Sequence, residues 1–247
     1  MSIASIFNLL LYQPLFNFLV ILYNYLPGHD FGIAVIALTV IIRLILYPST
    51  AKATKTQKAL NTIQPKLKEI QDKYKDDKEK QVKETLDLYK QAEINPFGGL
   101  LSTFIQIPIL LALYWVFRKA FNPGELANLY NFVSNPGLIN AKFIGLIDLS
   151  KPNVFMAVLA TISQFFQVKM MAPKTKSKGS AQDFSVAMQK QMVYFVPFIT
   201  FFILLGLPSA LGLYWATGSL FLIVEQHLIS KPKNLPAKIP AQNQTIK

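Results

Sequence analysis

The sequence predicts an all-α polytopic membrane protein, and three observations carry that prediction. Of its 247 residues, 52% are hydrophobic and only 15% charged, with a mean hydropathy of +0.33; an average soluble domain is about 25% charged. Five stretches, 31–50, 97–118, 153–171, 191–207 and 208–229, hold apolar runs near the ~20 residues a helix needs to cross about 30 Å of hydrocarbon. The net charge of +12 comes mostly from lysines between those stretches. Lysines crowd the segment 51–95, the region 169–190 and the tail 230–247, whereas the connection 119–152 sets Lys119, Lys142 and Lys151 against Glu125 and Asp148. Lysine-rich loops stay in the cytoplasm. Five transmembrane helices then place 119–152 outside and the C-terminus inside.

Residues 1–27 contain no lysine or arginine, so a secretory signal with a basic start is not evident. Ser2, Gln13, Asn17 and Asn24 fall in one narrow stripe at helical spacing, opposite an apolar face, and Tyr12, Tyr23 and Tyr25 suit a head-group layer. The expected element is an amphipathic helix lying in the outer interface. A sixth span, with Pro27-Gly28-His29-Asp30 as a short outside turn, is the alternative, and the lack of basic residues speaks for it.

The first span, 31–50, leads into a polar helical insert over 51–95. Leu60, Ile63, Leu67, Ile70 and Tyr74 repeat at alternating three- and four-residue steps, and Val82, Leu86, Tyr89 and Glu93 continue the pattern beyond a turn at Lys75-Asp76-Asp77-Lys78. This spacing predicts an antiparallel helical hairpin with facing seams. Pro65 either breaks its first arm or marks that arm's true start. The hairpin is a solvated spacer or a docking arm; its acidic residues, Glu69, Asp72 and Glu84 among them, make it no pure nucleic-acid patch. Asn95-Pro96 reads as an N-cap and first helical position of the second span, 97–118. The third span, 153–171, is joined by a cytoplasmic loop, 172–190, to the fourth, 191–207. Gly206-Leu207-Pro208-Ser209 turns tightly into the fifth, 208–229, and the proline-bearing basic tail, 230–247, reads as disordered.

Arg43 and Arg118 are the only arginines, and Arg43 lies inside the apolar run 31–47. An arginine at a bilayer centre costs about 2.5–3.5 kcal/mol on insertion scales, so it is paired, hydrated or used. It stands about 6 Å of helix rise from Tyr47-Pro48, and snorkelling to the inner head groups is the plain alternative. Other spans add polar groups: Thr39 one turn from Arg43, Gln106 on the second, Ser163, Gln164 and Gln167 on the third, and Glu225 and Gln226 on the fifth. Converging, they form a hydrophilic groove open to the cytoplasm; otherwise they are interhelical hydrogen-bonding glue. Glu225 is the only acid in the spans and the candidate ion partner of Arg43, with Lys169 as its other choice.

Several chemistries are disfavoured. There is no cysteine, and His29 and His227 fall at opposite expected faces, so no metal site or thiol chemistry is expected. No paired carboxylates, nucleophile–base set or phosphate-binding loop occurs, so the protein is expected not to be an enzyme and to need no cofactor. Without an intramembrane aspartate or inverted repeat, a proton-coupled transporter is a poor fit. A small-solute transporter and a scaffold for membrane complexes remain the rival classes.

An ordered series of stretches resembles the YidC-type membrane protein insertases, whose core is shared by mitochondrial and thylakoid relatives. It runs through 32–48 with its arginine, Gln64-Pro65-Lys66, Lys73-Tyr74-Lys75, Leu88-Tyr89-Lys90 and Asn95-Pro96-Phe97-Gly98-Gly99. It continues through Gln106-Ile107-Pro108-Ile109, Ala112-Leu113-Tyr114, Phe165-Phe166-Gln167-Val168-Lys169-Met170 and Leu213-Tyr214-Trp215. The resemblance implies a monomer in a bacterial cytoplasmic membrane, with five spans around a cytoplasm-facing groove and an interfacial helix at 1–26. It implies that Arg43 is the groove arginine, that Gln167 and Trp215 line the groove, and that Ser163 sits near a substrate contact. Implied or candidate partners are nascent membrane proteins, anionic lipids, the ribosome, a targeting receptor and the Sec translocon. The large outer domain of many Gram-negative members and the lipoprotein signal of Gram-positive members do not match these residues.

Overall fold

Apolar runs at helical spacing, separated by capping residues and turns, give an almost wholly helical chain. The computed structural model describes residues 2–95, 98–172 and 184–229. Helix α1 (Ile3–Phe7), a π-helical stretch (Asn8–Tyr12) and α2 (Gln13–Tyr25) follow without a break as one N-terminal rod. A 3-10 turn, Pro27–His29, leads to α3 (Phe31–Lys73), then α4 (Lys78–Gln91) and α5 (Gly98–Lys119). A second 3-10 turn, Pro123–Asn128, and a short antiparallel hairpin of β1 (Lys142–Phe143) and β2 (Ile147–Asp148) precede α6 (Val154–Met171), α7 (Phe184–Leu205) and α8 (Ser209–Ile229). The Pro96 helix start, the loop residues 173–183 and the tail 230–247 lie outside the described residues.

Helix α8 is the hub. It packs against α3, α5, α6 and α7, and α3 in turn packs on α2 and α5. Helices α8 and α6 come close at Gly212, where a Cβ would lie 3.2 Å from the Met156 carbonyl oxygen of α6. Small residues allow such backbone contact between membrane helices. The shared core buries Phe16 and Leu19 of α2, Leu38 of α3, Leu113 and Phe117 of α5, Met156 of α6 and Leu211 of α8. Among the described residues, Ile3–Tyr25, Phe31–Lys73 and Val154–Met171 are long and apolar enough to cross a membrane, with a shorter apolar stretch at Val193–Leu205.

Three sequence expectations change. The first span and the first arm of the insert are one helix, because α3 runs through both Pro48 and Pro65. Each proline deletes a backbone donor and strains the preceding turn. Side-chain anchors described below hold the helix on both sides of Pro48 and ahead of Pro65. The second arm is rotated relative to the expected seam: Val82 and Leu86 are 59% and 51% exposed, whereas Leu88 is buried. Gln81 explains the rotation, since its Nε2 donates to the Gln71 carbonyl at 3.1 Å and turns the 81/85/88 side of α4 toward α3. Glu93 falls beyond α4, at φ +53. The fourth helix begins at Phe184, not 191, so helix replaces the end of the expected loop 172–190.

The connection 119–152 is stitched to three helices. Along the N-terminal rod, Tyr12 donates to Glu125, Gln13 and Asn17 donate to the Asn128 carbonyl, and Asn17 accepts from the Tyr130 amide. Further along, the Tyr23 hydroxyl accepts from the Asn140 amide, and Asn24 donates to the Ser134 carbonyl. Gln13, Asn17 and Asn24 of the polar stripe are therefore spent on loop backbone, whereas Ser2 caps α1 by accepting from the Ser5 amide. At the start of α3, Asp30 caps the Ile33 amide at 3.0 Å and also accepts from Ile144 in the β-turn. At the start of α8, the Ser209 and Ala210 amides donate to the carbonyls of Lys151 and Leu149.

Two predictions follow from these contacts. Asp30→Ala removes a helix cap and the hairpin anchor together, and thermal unfolding in detergent should show a loss of about 1–2 kcal/mol. Burial raises the Glu125 carboxyl, but hydrogen bonds from Tyr12, Lys119 and Asn128 and the Lys119 charge outweigh it and hold its pKa below the ordinary 4.5. A carboxyl lowered by folding stabilises the fold above its unfolded value and loses that contribution as pH falls through the folded one. Melting temperature should therefore drop on acidification below 4.5, and part of that drop should vanish in Glu125→Gln.

Candidate functional site

Arg43 lies on the α3 face that meets α5 and α8, in a helix whose surrounding side chains are apolar. It is partly buried. Its Nη1 donates to Gln106 Oε1 at 3.3 Å, and Gln106 Nε2 donates to the Tyr214 hydroxyl at 2.5 Å. The Tyr214 side chain is almost fully buried. Helices α3, α5 and α8 thus each contribute one member of a polar string. Arg43 Nε is shielded from solvent and has no hydrogen-bond partner among the described residues. The site therefore holds a fixed cation with donor capacity left over; a guanidinium offers five donors in a planar fork suited to a carboxylate.

The other expected groove residues divide. Thr39 is buried and donates to its own helix at the Val35 carbonyl, 2.6 Å away. Ser163 does the same to Leu159 and Ala160. Such back-bonding satisfies a hydroxyl inside the helix that carries it, so these two groups do not join the Arg43 string. Gln164 is buried, and its Oε1 has no partner among the described residues; Gln167 is half-buried and bonds Met171 Sδ. Trp215 is half-buried against the apolar core. Gln226 is buried, and its backbone carbonyl accepts from Lys58 Nζ at 2.9 Å.

The Glu225 carboxylate accepts from Thr50 at 2.8 Å and Thr54 at 3.4 Å; it makes no direct ion pair with Arg43 or Lys169, although the Arg43 charge still acts on it. The continuous α3 explains the threonine contacts: one turn separates Thr50 and Thr54, so both hydroxyls reach the same acid on α8. Two turns on, Asn61 Nδ2 donates to the Met171 carbonyl at 2.8 Å. With Lys58 on the Gln226 carbonyl, the part of α3 beyond Pro48 supplies partners to carbonyls in the last turns of both α6 and α8, groups that helix ends leave without an internal donor. Sequence reading missed Tyr214 as a site residue, along with Gly218, Thr50, Thr54, Lys58 and Asn61. The i, i+4 spacing of Thr50 with Thr54 and of Tyr214 with Gly218 was the available signal.

Comparison with known proteins agrees with the motif series. A family model described as the 60Kd inner membrane protein matches residues 21–237. The chain belongs to this family. It is 33% identical over 228 residues to the membrane protein insertase YidC of Clostridium tetani, covering 89% of this chain and 93% of that relative. Identity to the protein of the same name in Fusobacterium nucleatum subsp. nucleatum is 32% over 223 residues, covering 90% and 97%. The Cellvibrio japonicus insertase YidC is 30% identical over 222 residues, but the match spans only 35% of its length. Membership of this insertase family, together with the apolar helices, makes the chain a multi-pass membrane protein of the bacterial inner-membrane type. The family is one of insertases, which move polypeptide without a covalent step, and not of enzymes.

The α3–α8 latch makes its own prediction. Thr50→Val with Thr54→Val leaves the Glu225 carboxylate buried without its donors, a change worth about 1–3 kcal/mol. Thermal unfolding in detergent should show that loss, and Glu225→Gln should recover part of it.

Proposed function

We propose that the protein is a membrane protein insertase that carries short polar tails of nascent membrane proteins across the bilayer along a hydrated groove around Arg43. The observation that carries this reading is the Arg43 guanidinium itself: part-buried, with no direct ion pair to Glu225, and with its Nε lacking a partner among the described residues. A permanent structural cation in a bundle is ordinarily paired; one left with open donors suits an anion that arrives and departs.

In this reading, α3, α5, α6, α7 and α8 are the five spans, the C-terminus is cytoplasmic, and the N-terminal rod lies along the outer interface. Rod residues from Tyr12 to Asn24 bond to the outer connection, a distance of about 18 Å along a helix. A rod crossing the bilayer would meet that connection at one end only. The client enters from the cytoplasm beside the hairpin formed by the α3 extension and α4. Groove water and side chains lower the desolvation penalty of its polar tail, and Arg43 attracts acidic residues in it. The membrane potential, positive outside, draws negative charge outward by about 2.3 kcal/mol per charge per 100 mV. The apolar segment then leaves between α6 and α8 into lipid.

The test uses purified protein in proteoliposomes and a single-span client with an acidic N-terminal tail, with protease protection of the tail as readout. Wild type should protect the tail, Arg43→Lys should retain most activity, and Arg43→Ala should lose it. Equal protection by wild type and Arg43→Ala would remove the electrostatic step, and no protection by wild type would remove the insertase reading.

A further inference from the structure

The Arg43 guanidinium rests on a glycine. A Cβ built at Gly218 would lie 2.7 Å from Arg43 Nη2, 3.1 Å from Nε and 3.3 Å from Cζ, inside the ~3.5 Å at which non-bonded heavy atoms make good contact. All three nearest atoms belong to the arginine side chain, and none to the α3 backbone. Gly212, nearer the start of the same helix, is different: its nearest neighbours are the Met156 carbonyl oxygen and carbon, with the Met156 Cβ beside them. Gly212 therefore brings two helices together, whereas Gly218 leaves room for one side chain. Glycine is also a poorer helix former than alanine, so local stability gives no reason for it here.

The opposite edge of the guanidinium is held by an oriented amide. Gln106 Nε2 donates to the Tyr214 hydroxyl at 2.5 Å, which leaves Oε1 to face Arg43 Nη1 at 3.3 Å. A guanidinium only donates, so Oε1 must face it, and the Tyr214 hydroxyl holds the amide in that place from its Nε2 end. Tyr214 and Gly218 are one turn apart on α8, so one helix sets both the seat and, through Gln106, the clamp. Arginine has many rotamers, and a guanidinium this near the inner end of a span would otherwise extend to the head groups.

We propose that Gly218, Tyr214 and Gln106 are positioning residues that keep the Arg43 guanidinium inside the bundle, where it selects clients with acidic tails. The inference rests on the insertase reading above and adds the source of charge selectivity to it. Removing the seat or the clamp lets the cation move toward the cytoplasm, where it meets an acidic tail no better than any exposed lysine does.

The experiment measures insertion of two clients with the same apolar segment, one with an acidic and one with a neutral N-terminal tail, in proteoliposomes. Gly218→Ala and Tyr214→Phe are each made in the wild-type and Arg43→Ala backgrounds. Gly218→Ala favours helix, and Tyr214→Phe preserves volume, so neither is expected to unfold α8. The acidic-to-neutral insertion ratio should fall roughly three- to tenfold in each single variant, within the range for coupled neighbours, and neither change should lower it further once Arg43 is alanine. Either single variant keeping the wild-type ratio overturns the proposal, as does an equal fall in the Arg43→Ala background, which would mark a packing role. Failure of the wild type to insert either client removes the insertase reading, and this inference with it.

Discussion

Inside a bilayer a polar group has only the protein to bond with, and this constraint organises the bundle. Arg43 is the severest case. Its helix could bury the side chain only because α5 supplies the Gln106 amide and α8 supplies an empty position at Gly218. Lesser polar groups resolve the same constraint locally, as Thr39, Ser163 and Thr217 do by bonding carbonyls of their own helices. The contrast separates structural polarity from polarity with capacity to spare. A hydroxyl that has turned back on its helix is satisfied, whereas the guanidinium retains donors.

The same constraint accounts for the two ends of the bundle. At the end where α6 and α8 finish, α3 runs on past its apolar stretch and lays Thr50, Thr54, Lys58 and Asn61 against them. The hairpin is therefore anchored through its first arm, and Gln81 of α4 bonds back to that arm at the Gln71 carbonyl. At the other end, the connection between α5 and α6 is bonded to the N-terminal rod, to Asp30 before α3 and to the first residues of α8.

Much of the candidate site was legible in the residues. An arginine within an apolar run stands out because of its transfer cost, and Gln106 stands out for the same reason. The role of Gly218 was not legible, because an absent side chain has no chemistry to read; its meaning is the space it leaves for a group 175 residues away in the chain. The hydrogen-bond partners of Glu225 were hidden for a related reason. Charge alone favours Arg43 as its partner, but the rotation of α3 about its axis presents two threonines instead.

Composition and periodicity by themselves determined that the chain is helical and membrane-spanning, where its polar insert lies, and that Arg43 is exceptional, since hydrophobic transfer and helical period are properties of short stretches. Helix rotation and partner choice were decided only in the tertiary structure. The continuity of α3 through Pro48 and Pro65, the exposure of Val82 and Leu86, and the cradle around Arg43 each depend on contacts between distant segments. Local preferences of a few kcal/mol are overridden when several such contacts agree.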